Sequence, residues 1–114
     1  SDLPGFCRVI WNRHMAEMTD LSYGERDHIM SLVFAVEEAI RHVMNPDKVN
    51  IAALGNMVPH IHWHVIPRFQ DDAFFPGSAW SMKTQETPGS ALETRRKKAQ
   101  ELPAAIKAAI ANLA

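Results

Sequence analysis

Three of the six histidines in this 114-residue chain stand at alternate positions of one run, Gly55-Asn56-Met57-Val58-Pro59-His60-Ile61-His62-Trp63-His64-Val65-Ile66-Pro67-Arg68-Phe69. In an extended strand, residues i, i+2 and i+4 share a face. His60, His62 and His64 then form a row with neighbouring Cβ atoms roughly 6–7 Å apart, and Ile61, Trp63 and Val65 line the opposite, buried face. In a helix the same rings would spread around most of the circumference. A single histidine on an apolar face is ordinarily a packing residue. Three polar rings in a row give up core-forming capacity, and that points to chemistry. The loop ahead of them, with Gly55, Asn56 and one proline, can turn backbone N–H groups toward an anion lying over the row.

The rest of the chain supplies a frame for this strand. Pro4-Gly5 is a turn, and Phe6 to Trp11 reads as a short apolar strand. Asn12 to Leu21 connects it to a helix announced by a capping box, in which Ser22 caps and Glu25 reaches back to the cap's N–H. Ile29, Leu32, Val33, Val36, Ile40 and Val43 recur at helical spacing, and Glu37, Glu38 and Arg41 face water. His28 and His42 belong to the solvent side. Asn45-Pro46 ends the helix. Val49 to Leu54 reads as a strand, joined by the loop Gly55 to Pro59 to the histidine strand as an antiparallel pair.

Residues 71–89 form a Pro-, Gly- and Ser-containing loop that also carries Phe74, Phe75 and Trp80, which an unattached linker would not hold. It docks on its own domain or on a partner subunit. Residues 90–114 read as a C-terminal helical segment, with a second capping box at Ser90 and Glu93 and a basic run, Arg95 to Lys98, on a solvated face. Pro103 either kinks this helix or begins a new one with Ile106, Ala109, Ile110 and Leu113 as its apolar stripe.

A chain of this length with 46% hydrophobic residues suits a single domain over 1–114. Its net charge of −1 gives no reason to expect nucleic acid or a membrane surface as partner, and no apolar run approaches the ~18 residues of a membrane span. The lone Cys7 excludes an internal disulfide and a cysteine zinc cage, in keeping with a reducing, cytoplasmic setting. A sequence that opens on Ser1 rather than Met is expected to be trimmed or partial at that end; no signal peptide is visible.

His60-Ile-His62-Trp-His64-Val-Ile resembles the motif of the histidine triad (HIT) superfamily, His-φ-His-φ-His-φ-φ with φ apolar, at every position. Weaker likeness extends from Pro4-Gly5 to Phe69. The resemblance implies an α+β fold: an antiparallel sheet of about five strands per subunit, packed with one central helix and a C-terminal helix, and commonly joined across a homodimer. It implies hydrolysis or nucleotidyl transfer at the α-phosphate of a nucleoside phosphoramidate or dinucleoside polyphosphate, with no metal and no cofactor. By the same resemblance His62 is the nucleophile that becomes a nucleotidyl-histidine, His64 bonds the phosphate and the departing group, and His60 keeps the site in order. Asn50, Gly55, Asn56, Met57 and Val58 match positions near phosphate or leaving group, and Asp2 matches the edge of a ribose-binding region. The family's first strands would precede Ser1.

Departures from the pattern define the rivals. Phe6 stands where many relatives have a fourth histidine, and Met57 where many have Ser or Thr. His14 matches a histidine of some relatives and is expected to make a structural hydrogen bond. One alternative is therefore a nucleotide-binding dimer with weak catalysis. Another is a metal site on the histidine row, completed by Asp71 or Asp72.

Overall fold

The computed structural model describes residues 1–113, and its elements follow the sequence pattern closely. Strand β1 (Cys7–Ile10) leads through a 3₁₀ turn (Met18–Asp20) to the long helix α1 (Tyr23–Met44). Strands β2 (Lys48–Ala52) and β3 (His62–Arg68) come next, then helices α2 (Gly89–Ala99) and α3 (Leu102–Ala111). The sheet runs in the order β1-β3-β2, and β3 is antiparallel to both neighbours. No helix among the described residues is long and apolar enough to cross a membrane.

Helix α1 begins as its capping box dictates: the Glu25 N–H donates to Ser22 Oγ, and the Ser22 N–H donates to the Glu25 carboxylate. It ends at Asn45, whose left-handed backbone (φ 48°) turns the chain out of the helix. Val33, Val36, Ile40 and Met44 pack against Val49, Val65 and Leu102. Each such side chain taken from water contributes roughly 1.5–3 kcal/mol. The core therefore forms on one side of the sheet, between it and α1, and the other side is left to polar groups. Gly5 permits the turn into β1, with φ at 87° and its Cα against Met44 and Pro67, where a side chain would not fit.

The architecture is α+β, with three strands among the described residues where the resemblance implies about five. The sequence contains three apolar extended runs, and the chain beyond Phe69 is turn-rich and then helical. His28 and His42 are exposed on α1, as their spacing requires. At the C-terminus the Ser90/Glu93 capping box does not form. Pro88, with its restricted φ, takes the cap position and the helix starts at Gly89, so Ser90 is already inside the first turn. The helical segment is two helices rather than one, because Pro103 falls in the first turn of α3, where a missing N–H costs nothing.

Candidate active site

Residues facing each other across an antiparallel pair point to the same side, and the register places Arg8 opposite His64 and Ile10 opposite His62. On the other flank Ala52 faces His64 and Lys48 faces Arg68. The side of the sheet away from α1 thus carries His62, His64, Ile66 and Arg68 in file, with their rows completed by β1 and β2. The rings of His62 and His64 meet edge to face at 4.9 Å.

His60 departs from the expected row, since β3 begins only at His62. Strand β2 ends at Ala52, and beyond it the chain pairs with the loop after β1: the Ile61 N–H donates to the Met15 carbonyl (2.8 Å) and the Trp11 N–H to the Ile61 carbonyl (3.1 Å). Ile61, packed with Leu21 and Ile29, anchors this turn. The His60 ring swings to the Trp11 carbonyl through Nε2, and its Nδ1 lies 3.3 Å from Nδ1 of His14. A carbonyl can only accept, so Nε2 of His60 carries a proton, and in the neutral ring its Nδ1 accepts from His14. The structural hydrogen bond expected of His14 is present.

The same reasoning fixes His62. Its Nδ1 lies 2.6 Å from the carbonyl oxygen of His60 and must donate, which leaves the lone pair of the neutral ring on Nε2. Among the described residues nothing donates to that Nε2. The displaced His60 therefore serves His62 through its main chain: its carbonyl sets the tautomer that a nucleophilic imidazole requires.

His64 is walled in. Its ring makes edge contacts with Phe6 (5.5 Å) and Trp80 (4.8 Å), and 7% of the residue remains exposed. Burial above all, then the neighbouring His62 and the Arg8 guanidinium, holds its pKa below the usual 6.5. The ring is neutral at pH 7, and its Nδ1 has no hydrogen-bond partner among the described residues. Replacing Trp80 with alanine re-wets this ring, and an NMR titration of the His64 ring protons is expected to show its pKa rising toward 6.5.

The loop carrying Trp80 docks on its own chain. Arg68 and Asp72, 2% and 1% exposed, form a two-pronged ion pair at 2.9 and 3.1 Å. The same guanidinium donates to Asn50 Oδ1 (2.8 Å) and to the Gly77 carbonyl (2.8 Å), and the Asp72 carboxylate accepts the N–H groups of Phe69, Phe74 and Phe75. This network folds residues 69–81 over Ile66 and Arg68, leaves Trp80 at the boundary, and keeps open the end of the face that carries His62, Arg8 and Ile10.

Among the other expected residues, Asn50 is engaged by Arg68 below the histidines, and Asp2 lies at the N-terminus, 3.7 Å from the Lys83 ammonium. Gly55 adopts φ 84°, Met57 and Val58 are exposed, and the N–H groups of Gly55 to Val58 donate to no acceptor among the described residues. A cavity of about 200 Å³ lies beside this loop, lined by Glu17, Leu54, Gly55, His60 and His62. Asp71 pairs with Arg95 at 2.7 Å and Asp72 is consumed by Arg68, so neither completes a metal site on the histidine row. No group of three or more His, Cys, Asp or Glu side chains among the described residues is placed to hold a metal ion. Two contributors to the site are not apparent from sequence: Arg8, one charge alternating within an apolar strand, and Trp80, whose aromatic loop signals docking without naming its target.

This sheet and its histidine face define a histidine triad fold, and the comparisons agree. The HIT domain family model matches residues 1–71, and the chain belongs to that family. The chain resembles an AP-4-A phosphorylase of Mycobacterium tuberculosis, with 31% identity over 63% of this chain and 40% of the relative. It also resembles an asymmetrical bis(5'-nucleosyl)-tetraphosphatase of Schizosaccharomyces pombe, with 33% identity over 61% of this chain and 41% of the relative. The matched region is thus about two fifths of each curated relative's length. In fold it is similar to a histidine triad protein from Bradyrhizobium japonicum (TM-score 0.75, 27% identity, 93% of this chain and 78% of that one). A histidine triad protein from Marinobacter aquaeolei gives a TM-score of 0.67 at 27% identity, over 85% of this chain and 72% of that one.

Proposed function

We propose that this protein cleaves dinucleoside polyphosphates or related nucleotides at the α-phosphate, by double displacement through His62. The observation that carries the reading is the hydrogen bond from His62 Nδ1 to the His60 carbonyl, which leaves Nε2 unprotonated on the open face. In the first step Nε2 bonds to the α-phosphorus and the bridging P–O bond breaks, its electron pair leaving on the oxygen of the β-phosphate. In the second, water or inorganic phosphate adds to phosphorus, and the N–P bond returns its pair to Nε2. The unpaired N–H groups of Gly55, Asn56, Met57 and Val58 suit the charge that develops on the phosphoryl oxygens, a contribution of about 3 kcal/mol for a well-placed donor.

His64 borders the reacting centre, and His60 and His14 hold the turn that presents His62. Asn50 acts through Arg68, and Asp2, 3.7 Å from the Lys83 ammonium, is assigned to the edge of the ribose-binding region on the resemblance alone. The names of the relatives, a phosphorylase and a tetraphosphatase, support the substrate class. An imidazole nucleophile needs no metal to be reactive at neutral pH, so the activity is expected to persist in chelator. A homodimer is the assembly that the resemblance to the family implies, and nucleotide chemistry with one free thiol fits the cytoplasm.

Product analysis with diadenosine tetraphosphate tests the reading. The expected products are AMP and ATP in water, or ADP and ATP when inorganic phosphate is the acceptor. ADP as the sole nucleotide product would place the attack between the central phosphates and overturn it.

A further inference from the structure

We infer that His14 is a positioning residue for the nucleophile: its ring fixes the tautomer of His60, and the peptide that His60 anchors fixes the tautomer of His62. The inference deepens the proposed attack by His62 and rests on it. His14 stands beyond the end of β1, 46 residues from His60 in sequence, and the two Nδ1 atoms lie 3.3 Å apart with ring centroids at 5.4 Å.

The peptide between His60 and Ile61 carries the effect. Its N–H donates to the Met15 carbonyl (2.8 Å), and its C=O accepts from Nδ1 of His62 (2.6 Å). A trans peptide is planar, with N–H and C=O on opposite sides, so whatever orients one orients the other. Strand β3 starts only after this peptide. Its hold comes from the Trp11–Met15 loop: the Met15 carbonyl takes the Ile61 N–H, the Trp11 carbonyl takes Nε2–H of His60, and His14 meets Nδ1 of His60. The first two partners are main chain. His14 is the side chain of the set.

Proton counting shows what that side chain does. A neutral imidazole carries one ring proton, and a donor at Nδ1 of His60 keeps that proton on Nε2, where the Trp11 carbonyl needs it. Without His14 the proton is free to move to Nδ1. Nε2 then turns a lone pair toward a carbonyl oxygen, two acceptors oppose each other, and the ring leaves. The peptide loosens, and His62 is released to carry its own proton on Nε2, the nitrogen that must attack.

The test is heteronuclear NMR of the His62 ring nitrogens in wild type, H14A and H14N, beside steady-state kcat and KM for diadenosine tetraphosphate. An asparagine amide nitrogen takes about the place of histidine Nδ1 and still donates. H14A is expected to mix the two tautomers of His62 and to lower kcat by about fivefold to tenfold, the effect of one lost neutral hydrogen bond. KM is expected to move by less than about twofold, because the loop N–H groups that face phosphate are untouched. H14N should recover most of both losses, and H14A/H60A should be no slower than H60A, since His14 acts through the His60 ring. A wild-type His62 tautomer in H14A, an H14N no better than H14A, or losses that add in the double variant would each overturn the inference. Failure of the wild type to turn over the nucleotide would remove the His62 reading, while the ring-nitrogen spectra would still decide the role of His14.

Discussion

On the proposed double displacement, replacing His62 with asparagine is expected to reduce cleavage at the α-phosphorus by about 10⁴-fold or more, because the step that loses its nucleophile has no second route of comparable rate. The fold should survive the change. His62 is half-buried and makes one hydrogen bond to the main chain, worth about 1 kcal/mol net, and an asparagine amide can still donate to the His60 carbonyl. Single-turnover assays on purified wild type and H62N, with melting curves for both, read activity and stability separately. Retention of more than a few per cent of turnover in H62N would eliminate the covalent scheme. Growth of activity on adding zinc would instead favour a metal-dependent reaction on the same histidine face.

How much of this could be read from the residues depends on how local the determinants are. The alternation of His62 with Trp63 and His64 with Val65 is a period-2 signal carried within one strand, and the fold reproduces it. His60 carries the same period but not the same place. Whether a residue belongs to a strand depends on its neighbours, and β2 stops at Ala52, so the chain at His60 answers to the Trp11–Met15 loop instead. The two capping boxes make a similar contrast. Ser22 realises its box because nothing competes for the cap, whereas Ser90 loses its own to Pro88 two residues earlier. Trp80 reaches His64 across 16 positions of sequence through a loop whose path is set by Arg68 and Asp72, and no local pattern encodes such a path. Arg8 is hidden for another reason: a single charged residue in a four-residue strand reads as simple exposure until the register names its partner.

The Arg68–Asp72 pair yields the largest expected loss of stability. Asp72→Ala leaves a guanidinium that is 2% exposed without its counter-ion and strands the N–H groups of Phe69, Phe74 and Phe75. Removing one partner of a buried pair costs about 3–5 kcal/mol, which for a domain of this size lowers Tm by roughly 10–20 °C. The loss should spread to the site, because the loop that carries Trp80 over His64 is held by this network. The His64 ring protons should therefore report a more solvated ring in D72A even below its melting temperature. Acid exposes the same dependence. Burial alone would raise the Asp72 pKa, but hydrogen bonds from Arg68 and from the Phe69 and Phe74 N–H groups outweigh it and hold the carboxyl below its ordinary 3.8. The folded state then binds this proton less readily than the unfolded chain. The stability Asp72 contributes is complete above about pH 4 to 5 and drains away as pH falls through and below the ordinary carboxylate range. Urea unfolding between about pH 3 and 7 should show a steeper acid loss in wild type than in D72A. Parallel curves for the two proteins would mean that the buried pair does not fasten the loop, and the enclosure of His64 would then need another cause.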